Sequence, residues 1–437
     1  MKLSVIGCGY LGAVHAASMA ELGHEVTGID VDEIRIGSLS QGIAPFHEPG
    51  FNDLLGANAT RLTFSTDMSA AHGSRVHFLA VGTPQRTNGS VDLTYVDQAV
   101  SDLLPHLQPG DLVVGKSTVP VGTAARVAGL VEPTGALLMW NPEFLREGFA
   151  VLDTLSPDRL VYGVSDDDAG AQATALLDDV YATILAKETP RLIMNFATAE
   201  LVKVAANSFL ATKISFINAM AEIADVTGAN VTQLADAIGH DARIGRKFLN
   251  AGIGFGGGCL PKDIRGFVAR ADELGVGEAL AFLTDVDEIN MRRRGRVTEI
   301  LEEELGDLKG KKIAVWGLAF KPDSDDIRDS PALDIVESLA RAGATVIGSD
   351  PEATGPATRR IDAAGLGDLV TLDADHRLAA RGVDAIVVAT EWMDYQNEDP
   401  AAMRSLVGNP LVIDGRNCLP DDAWKAAGFH YRGMGRS

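Results

Sequence analysis

The stretch KLSVIGCGYLGAVHAASMAELGHEVTGID, residues 2–30, decides the fold of the N-terminal half. Its first part, 2–6, is a short apolar run typical of a buried parallel strand. Residues 7–12 read GCGYLG, a helical pattern follows to Leu22, and Gly23 ends that helix. A second strand pattern then leads to Asp30. A strand, a GxGxxG turn, a helix, a second strand and an acidic residue indicate, in this order, a dinucleotide-binding unit.

The residue types of this unit indicate NAD as the cofactor. Gly7, Gly9 and Gly12 permit a tight turn, close approach of a pyrophosphate and close helix packing, and the helix N-terminus faces the phosphates. Asp30 follows Gly12 by 18 residues and is placed to accept from a ribose 2′-hydroxyl. Because a carboxylate repels a 2′-phosphate, NAD is favoured over NADP. Arg35, close in sequence, is the one feature that points towards NADP.

Composition and charge are those of a soluble globular protein with two or three domains. The chain has 437 residues and a net charge of −22, which argues against nucleic acid or a membrane surface as a partner, since phosphate binding needs a concentrated basic surface. Its three cysteines are far apart and suggest neither disulfides nor a metal site, so we expect a cytoplasmic protein. The apolar run before Cys8 is too short for a signal peptide, and no later run is long enough to span a bilayer.

Further strand patterns end in small or polar residues, where a doubly wound sheet binds its ligands. The patterns at 75–81, 111–115 and 136–140 lead into GTP (82–84), KST (116–118) and NPE (141–143). The last of these continues to Glu147, which we expect one helical turn after Glu143. Two carboxylates at this spacing either share a site as base and water-positioning group or belong to a solvated charged turn. Spacing alone favours the solvated turn.

The middle of the chain is predicted to be helical. From about Thr198 no strand pattern occurs before Lys312. Glu200, Lys203 and Asn207 recur at three- and four-residue intervals and therefore lie on one helix face. The lysine and the asparagine either donate to a developing oxyanion or satisfy buried carbonyls and face solvent. A long helix here is also suited to pack against its counterpart in a second subunit, which predicts a homodimer.

The segment GFGGGCLPKD, residues 254–263, places a single cysteine after a glycine-rich turn. Four of its first five residues lack a Cβ, so the backbone can take positive φ and approach a ligand closely. A nest of backbone N–H groups with Lys262 nearby would stabilise a thiolate at Cys259 and hold an oxyanion. The alternative is a glycine-rich turn with an inert buried cysteine. The segment by itself does not decide between the two.

A second βαβ rhythm begins at residue 311 and predicts another nucleotide-binding sheet. Its strand patterns are 311–317, 345–349, 384–389 and 410–413. The first turn, GLAFK at 317–321, has a single glycine, so a dinucleotide pyrophosphate would not approach as closely and a smaller ligand is expected. Lys321, Arg328 and Arg416 lie near strand ends, where they are placed to meet its phosphates.

Taken together, these segments resemble the UDP-glucose/GDP-mannose dehydrogenase family over nearly the whole chain. The motifs that carry the resemblance are GCGYLG (7–12), VGTP (81–84), KSTVPVGT (116–123), NPEFLREG (141–148), SPDR (156–159), AELVKVAANSFLATKISFIN (199–218), RIGRKFLNAGIGFGGGCLPKD (243–263) and FKPDSDDIRDSP (320–331). The resemblance implies an α/β fold of two Rossmann-like doubly wound parallel-sheet domains joined by a central helical segment with a long helix. It also implies a four-electron oxidation of a UDP-sugar at its C6 alcohol, using two NAD⁺ in succession. In that reaction Cys259 captures an aldehyde as a thiohemiacetal, which is oxidised to a thioester and then hydrolysed.

The resemblance further implies roles for individual side chains. Lys203 and Asn207 match the family's oxyanion-stabilising pair. Asp263 matches a carboxylate that holds a water molecule in base catalysis. Glu143, supported by Thr118, matches the acid proposed to activate the hydrolytic water.

Two sets of contact residues follow from the same resemblance and the motifs above. The expected cofactor contacts are Gly7, Gly9, Tyr10, Leu11, Gly12, Asp30, Arg35, Thr83, Thr118, Glu147, Lys262 and Arg328. The expected substrate contacts are Glu143, Phe144, Leu145, Lys203, Asn207, Arg243, Phe248, Gly256, Lys321 and Arg416. Of these, Arg243 matches an arginine that in relatives reaches the site of the neighbouring subunit.

We expect three segments: an NAD-binding domain at 1–197, a central helical segment for dimerisation and the active site at 198–300, and a UDP-sugar-binding domain at 301–437. The departures from the family pattern are Gly258, where many relatives have serine, and Ala219, where many have glutamate. Neither removes a chemical group that the mechanism needs.

Three alternatives remain open. RIGRKFLNAGIGFGG and SPDR favour the UDP-glucose branch, but GDP-mannose or a UDP-N-acetylhexosamine would be oxidised by the same chemistry. A two-electron hydroxyacid or 6-phosphogluconate-type dehydrogenase would need neither Cys259 nor a second nucleotide-like half. A non-catalytic NAD-binding scaffold is the alternative of a different class, and the joint presence of thiol, lysine, asparagine and aspartate argues against it.

Overall fold

The structure is a computed structural model that describes residues 1–436, and it divides into two compact units. Unit 1 comprises residues 1–206 and 265–277, and unit 2 comprises residues 207–264 and 278 onwards. The three-segment division expected from the sequence stays a prediction, since these units are defined by packing and cut through the central segment.

Unit 1 is built on an eight-stranded sheet. Its strands are β1 (Lys2–Ile6), β2 (Glu25–Ile29), β3 (Leu62–Ser65), β4 (Val76–Leu79), β5 (Leu112–Gly115), β6 (Leu137–Trp140), β7 (Leu160–Val164) and β8 (Arg191–Asn195). The spatial order is β3-β2-β1-β4-β5-β6-β7-β8, and all neighbours are parallel except β6 and β7. The order reverses between β1 and β4, which is the switch point where a doubly wound sheet binds nucleotides.

Helices cover this sheet. They are α1 (Tyr10–Glu21), α2 (Glu33–Ser40), α3 (Phe51–Ala57), α4 (Thr94–Leu103), α5 (Thr123–Val131), α6 (Ala150–Leu155), α7 (Asp168–Val180) and α8 (Ala182–Leu185). The first of them is almost entirely buried, because small residues at 12, 13, 16, 17 and 20 let it lie close to the strands. The sheet itself is apolar on both faces, as the crossover helices require.

The middle of the chain contains four helices and no strand between β8 and residue 312, as the sequence predicted. They are α9 (Phe196–Thr227), α10 (Val231–Gly239), α11 (Leu260–Glu273) and α12 (Ala281–Leu305). The 32-residue α9 is the long helix expected from the periodicity. Both α9 and α11 begin in one unit and end in the other.

Unit 2 contains a six-stranded, fully parallel sheet. Its strands are β9 (Lys312–Trp316), β10 (Thr345–Ser349), β11 (Val370–Asp373), β12 (Ala385–Val388), β13 (Leu411–Asp414) and β14 (His430–Gly433), in the spatial order β11-β10-β9-β12-β13-β14. The helices that follow its strands are α13 (Pro331–Arg341), α14 (Thr354–Ala363), α15 (His376–Ala379), α16 (Met393–Gln396), α17 (Pro400–Arg404) and α18 (Asp421–Ala426). The predicted fold class, two Rossmann-like sheets with a helical middle containing a long helix, is confirmed.

Five strands of the structure were not predicted from the sequence. Four of them, β3, β8, β11 and β14, are the edge strands of the two sheets. Edge strands are short and partly exposed, and of these four only β8, which reads RLIMN, carries a continuous apolar run. The fifth, β7, reads LVYGV and is buried throughout, a signal that could have been used. Among the described residues, no helix has the length and apolar character needed to cross a membrane.

Candidate active site

The glycine turn after β1 has the geometry of a pyrophosphate cradle. Gly7 has a φ of +89°, and a Cβ there would lie 2.8 Å from the backbone of Val81. A Cβ at Gly12 would lie 1.7 Å from the carbonyl oxygen of Gly7, so α1 packs against the turn only because Gly12 has no side chain. Gly9 is different, because a Cβ there would meet nothing within 4 Å. The open position is the one where a phosphate would approach the backbone ahead of α1.

Asp30 stands at the end of β2 with its carboxylate turned towards this glycine turn. It accepts from the backbone N–H of Cys8 at 2.7 Å and from Arg35 Nη1 at 3.0 Å. Arg35 also lies 3.3 Å from Asp32, so its charge is shared between two carboxylates. A neutralised arginine is a weak attractor for a 2′-phosphate, and the carboxylate of Asp30 still offers lone pairs to ribose hydroxyls. The turn therefore fits NAD.

Glu48 organises the same region and was not found from the sequence. Its buried carboxylate accepts from the hydroxyl of Tyr10 and from the backbone N–H groups of Gly148 and Ala150, both at 2.7 Å. It thereby fixes the turn in front of α6, next to Glu147 and the start of α1. An isolated glutamate in the sequence FHEPG gives no signal of such a role.

The predicted helical spacing of Glu143 and Glu147 is wrong. Residues 141–146 form no helix, and 147–148 form a turn. The Glu143 carboxylate instead bonds to the backbone N–H of Leu145, and α6 begins only at residue 150. The two carboxylates therefore do not share a helix face. Glu147 is buried and adds to the rise in the pKa of Tyr10, which burial and the bond to Glu48 mainly cause, whereas Glu143 bonds elsewhere.

Glu143 forms an ion pair with Lys203 of α9. The Lys203 ammonium lies 3.0 Å from the Glu143 carboxylate, and the lysine is buried while the glutamate is half-buried. The Phe144 ring lies 5.5 Å below the same ammonium, and Glu143 also accepts from the backbone N–H of Leu145 at 2.7 Å. Lys203 thus neither faces solvent nor satisfies a carbonyl through this contact. It holds the turn that carries three predicted substrate contacts.

Glu200, one turn earlier on α9, anchors the loop after β5. Its carboxylate accepts from the backbone N–H groups of Gly122 and Ala124 at 2.8 and 2.7 Å, which caps the N-terminus of α5. Burial raises its pKa despite these bonds. The loop so fixed carries Thr118, while Thr83 of the neighbouring loop is buried. A nearby cavity of about 430 Å³ is lined by Arg86, Arg126 and Arg270, but none of the predicted site residues lines it.

In unit 2 the glycines before Cys259 are required by their surroundings. A Cβ at Gly256 would lie 2.1 Å from the carbonyl oxygen of Asp329, and one at Gly254 would lie 2.6 Å from Asn290 Oδ1. At the remaining two glycines, a Cβ would lie 2.7 Å from the Phe320 ring at Gly257 and 2.3 Å from the Arg328 guanidinium at Gly258. The loop thus packs directly against the segment FKPDSDDIRDSP. Because Gly258 has no side chain, it leaves space for the Arg328 guanidinium, and a serine at this position would reduce that space.

Cys259 is exposed and stands immediately before α11. Its carbonyl accepts from the backbone N–H of Asp263 at 2.9 Å, so it occupies the N-cap position of that helix. The positive end of the helix dipole stabilises a negative charge there. Cys8 is buried and burial raises its pKa, and burial likewise raises that of Cys418. The expectation of a buried thiol at Cys259, in the alternative interpretation, is therefore wrong.

Asp263 links the first turn of α11 to α9. It is 3% exposed and accepts from Asn207 Nδ2 at 2.6 Å and from Lys262 Nζ at 2.7 Å. Asn207, like Lys203, is thus bound to a carboxylate rather than to a carbonyl. The structure thus brings Asn207 of α9 together with Lys262 and Asp263 of α11, the helix that Cys259 precedes.

Polar side chains of α12, and one that follows β13 of the C-terminal sheet, hold the cysteine loop in place. Those on α12 were not predicted from the sequence. Asn290 accepts from the backbone N–H of Phe255 at 2.7 Å and donates to its carbonyl at 3.0 Å, and Arg294 donates to the same carbonyl at 3.0 Å. Arg416, a predicted substrate contact, donates to the carbonyls of Gly254 and Ala389, both at 2.8 Å. It therefore also supports the loop.

The other predicted substrate contacts of unit 2 are more exposed. Arg243 pairs with Asp241 and is 89% exposed, a position suited to reach another molecule. Phe248 is exposed with a φ of +65°. Lys321 lies 5.4 Å from the Phe320 ring at the strand-end loop of β9.

The turn after β9 in unit 2 resembles the turn after β1 in unit 1, but the aspartate that accompanies it is fully buried. Gly317 has a φ of +99° and, like Gly7, packs against the next strand. Asp350 takes the place of Asp30 at the end of β10, but it is fully buried and accepts from Leu318 N, Ala319 N and Trp392 Nε1 at 2.7 to 3.2 Å. No helix begins at this turn, because α13 starts only at Pro331. The predicted absence of a second dinucleotide site therefore has a structural basis.

A glycine turn that fits NAD, a second Rossmann-like sheet and an exposed thiol are together typical of an NAD-dependent dehydrogenase. Residues 1–185 match the NAD binding domain, 197–292 the central domain and 314–421 the UDP binding domain of the UDP-glucose/GDP-mannose dehydrogenase family. The chain belongs to this family, and NAD is its cofactor.

Similar proteins span the whole chain. The UDP-glucose 6-dehydrogenase TuaD of Bacillus subtilis is 40% identical over 443 residues, covering 100% of this chain and 93% of the relative. The solved UDP-glucose dehydrogenase of Pyrobaculum islandicum is 37% identical with a TM-score of 0.89, covering 100% of this chain and 98% of that one. The UDP-D-ManNAc dehydrogenase of Pyrococcus horikoshii is 27% identical with a TM-score of 0.84, covering 100% and 99%.

Proposed function

We propose that the protein oxidises UDP-glucose to UDP-glucuronate with two NAD⁺, through a covalent intermediate on Cys259. The observation that carries the proposal is the exposed thiol at the N-cap of α11, in a loop whose glycines are required by close packing. The likeness to UDP-glucose dehydrogenases of 37 to 40% identity supports the choice of sugar.

The proposed chemistry balances as two oxidations and one hydrolysis. The C6 alcohol first loses a hydride and a proton to give an aldehyde. The Cys259 thiolate adds to the aldehyde carbon, and the thiohemiacetal loses a second hydride to give a thioester. Water then breaks the C–S bond, so the carboxylate leaves and the thiol is restored. NAD⁺, held by the turn around Gly9 with Asp30 on its ribose, supplies the hydride acceptor in both oxidations.

The remaining side chains are proposed to stabilise charge and move protons. Lys203 and Asn207, four residues apart on α9, donate to the oxygen that becomes anionic in each step. Asp263 holds a water molecule for base catalysis. Glu143, with Thr118, activates the hydrolytic water, and its ion pair with Lys203 supports this role because the pair fixes the carboxylate in place.

The C-terminal sheet is proposed to bind the UDP part of the substrate, with Lys321 and Arg416 near its phosphates or sugar. The cofactor contacts proposed beyond the glycine turn are Tyr10, Leu11, Arg35, Thr83, Thr118, Glu147, Lys262 and Arg328. The proposed substrate contacts around the reacting carbon are Phe144, Leu145, Phe248 and Gly256. A cytoplasmic location is part of the same proposal.

The test of this function is the ratio of NADH formed to UDP-glucose consumed, with NAD⁺ in excess. Two NADH per UDP-glucose support the proposal, and one would show a two-electron enzyme. Two NADH with GDP-mannose or a UDP-N-acetylhexosamine, and none with UDP-glucose, would keep the mechanism and correct the substrate. NAD binding without any turnover would establish the scaffold alternative.

Replacing Asp30 by serine is expected to change the cofactor preference. The variant loses a charged acceptor for the ribose hydroxyls, so the KM for NAD⁺ rises about ten- to a hundredfold. It also frees Arg35 from its 3.0 Å ion pair, so NADP⁺ becomes usable. Steady-state kinetics with both cofactors measure the change. Asp32→Ser is the matched control, since Asp32 caps α2 in the same loop, and a similar loss there would contradict the role of Asp30.

A homodimer is proposed from α9. Phe209, Phe216 and Ile223 are 67%, 48% and 53% exposed and recur every seven residues, so they form one apolar stripe on that helix. Phe216→Glu is expected to convert a dimer, about twice the 46.1 kDa chain, into a monomer on light scattering. Met393→Glu, at an exposed methionine outside the stripe, is the control. An unchanged mass for Phe216→Glu would rule the stripe out as the interface. A dimer would also let Arg243 reach a neighbouring site, as proposed.

A further inference from the structure

Lys116 is a buried cation that the proposed mechanism does not use. It follows β5 directly and is 6% exposed. Its ammonium donates to Asn141 Oδ1 at 3.0 Å and to the Tyr181 hydroxyl at 3.4 Å, and both of these acceptors are neutral. The fully buried His15 on α1 is also neutral, because burial and then the charge of Lys116 lower its pKa. A buried ammonium without a bonded carboxylate destabilises a folded protein.

The charges that act on Lys116 belong to the candidate site. Glu143 attracts its ammonium and Lys203 repels it, while burial is the largest effect and lowers the pKa of Lys116 to about 8. Glu143 is itself bonded to Lys203. The charges of two lysines therefore act on one carboxylate, that of the residue proposed to activate water.

Packing alone does not explain the lysine. Asn141 Oδ1 also accepts from the Tyr181 hydroxyl at 3.1 Å, and Asn141 Nδ2 donates to the carbonyl of Val161 at 2.9 Å. Without the lysine the asparagine would still be hydrogen-bonded. A methionine of similar length would fill the space without the cost of burying a charge.

We propose that Lys116 is a positioning residue for thioester hydrolysis. Its bond to Asn141 ties together the ends of β5 and β6, two residues before Thr118 on one strand end and two residues before Glu143 on the other. It thereby fixes the spacing of the two groups assigned to the hydrolytic water, and its charge attracts the Glu143 carboxylate. The inference rests on the proposed function.

The test compares Lys116→Met with Glu143→Gln and with Tyr181→Phe. In Lys116→Met, kcat is expected to fall about 10- to 100-fold because the hydrolytic groups are misplaced. The burst of two NADH per site should remain, and intact-mass spectrometry should find the UDP-glucuronyl group on Cys259, as in Glu143→Gln. Tyr181→Phe keeps the lysine and its charge, and should turn over like the parent.

Thermal unfolding separates positioning from a structural role. The folded-state pKa of Lys116 is about 8, below its ordinary 10.5, so the folded protein disfavours the bound proton. The resulting destabilisation is complete below about pH 8 and disappears as the pH rises towards about 10.5. Lys116→Met should therefore raise the melting temperature at about pH 7, and by less at about pH 10.

The outcomes are distinct. Parental turnover in Lys116→Met, or a lowered melting temperature with a burst reduced in proportion to activity, would overturn the inference. If the parent forms no two-NADH burst and Glu143→Gln no adduct, the proposed function fails instead. An adduct in Glu143→Gln but none in Lys116→Met would leave the function intact and refute the role of Lys116.

Discussion

Replacing Cys259 by alanine is expected to abolish the formation of two NADH per UDP-glucose. The variant has no nucleophile to capture the aldehyde, so no thioester forms and the second hydride transfer has no substrate. Removing the nucleophile of a covalent enzyme lowers turnover by about a thousandfold or more. The measurement is NADH formed per sugar consumed, with intact-mass spectrometry to show that the acyl group is missing.

The control is a substitution of Cys418, a cysteine outside the proposed site. Cys418→Ser changes a half-buried thiol whose pKa is raised by burial, and it should leave the ratio of two NADH intact. Cys259→Ser, with a weaker nucleophile at the same place, should resemble the alanine variant. Should Cys259→Ala still release two NADH for each sugar, the covalent route would have to be abandoned.

Gly256→Ala is expected to damage the site without touching a reacting group. The new Cβ would lie 2.1 Å from the carbonyl oxygen of Asp329 and 2.7 Å from Pro331 Cδ, and neither of these atoms is the far end of a flexible side chain. The cysteine loop must therefore shift, which we expect to lower the free energy of unfolding by about 1–3 kcal/mol. Misplacement of the thiol by about 1 Å should lower kcat/KM about a hundredfold.

Gly295→Ala provides a matched control in the same unit. Gly295 lies in α12, and a Cβ there meets nothing within 4 Å, so alanine should stabilise the helix by about 0.5–1 kcal/mol. Chemical denaturation and steady-state kinetics of both variants measure the contrast. If Gly256→Ala were as active and as stable as Gly295→Ala, the close packing of the loop would have no functional meaning.

The fold could be predicted from the sequence because the units that build the two sheets have local sequence patterns. A buried strand, its glycine turn and its helix lie within about thirty consecutive residues in a βαβ unit, and the central strands other than β7 were therefore recognisable. The edge strands were missed because their half-exposed residues resemble loops. The helical spacing expected for Glu143 and Glu147 was wrong, because residues 141–148 form an irregular segment and a turn, which the spacing of two charges does not reveal.

The site could be predicted less completely, because its bonds join distant parts of the chain. Lys203, Asn207, Cys259 and Asp263 were recognisable as candidate site residues. The pairing of Lys203 with Glu143 was not, because the two residues are 60 positions apart in the sequence. No local pattern marks Glu48, Asn290 or Arg294, whose side chains hold backbone groups far away in sequence. Such supporting residues act through their position in three dimensions, which spacing does not encode.

The buried carboxylate at the end of β10 also limits how the protein can be redesigned. Asp350 receives five donors, since Glu352 N and Ala353 N bond to its second oxygen at 2.9 and 2.8 Å in addition to the three on the first. An ionised carboxylate offers about four lone-pair sites, so none remains for a ribose. Adding glycines to GLAFK would therefore not turn the C-terminal sheet into a second dinucleotide site. The aspartate that we propose binds the cofactor in one half of the molecule is used by the other half as an internal acceptor for its own backbone.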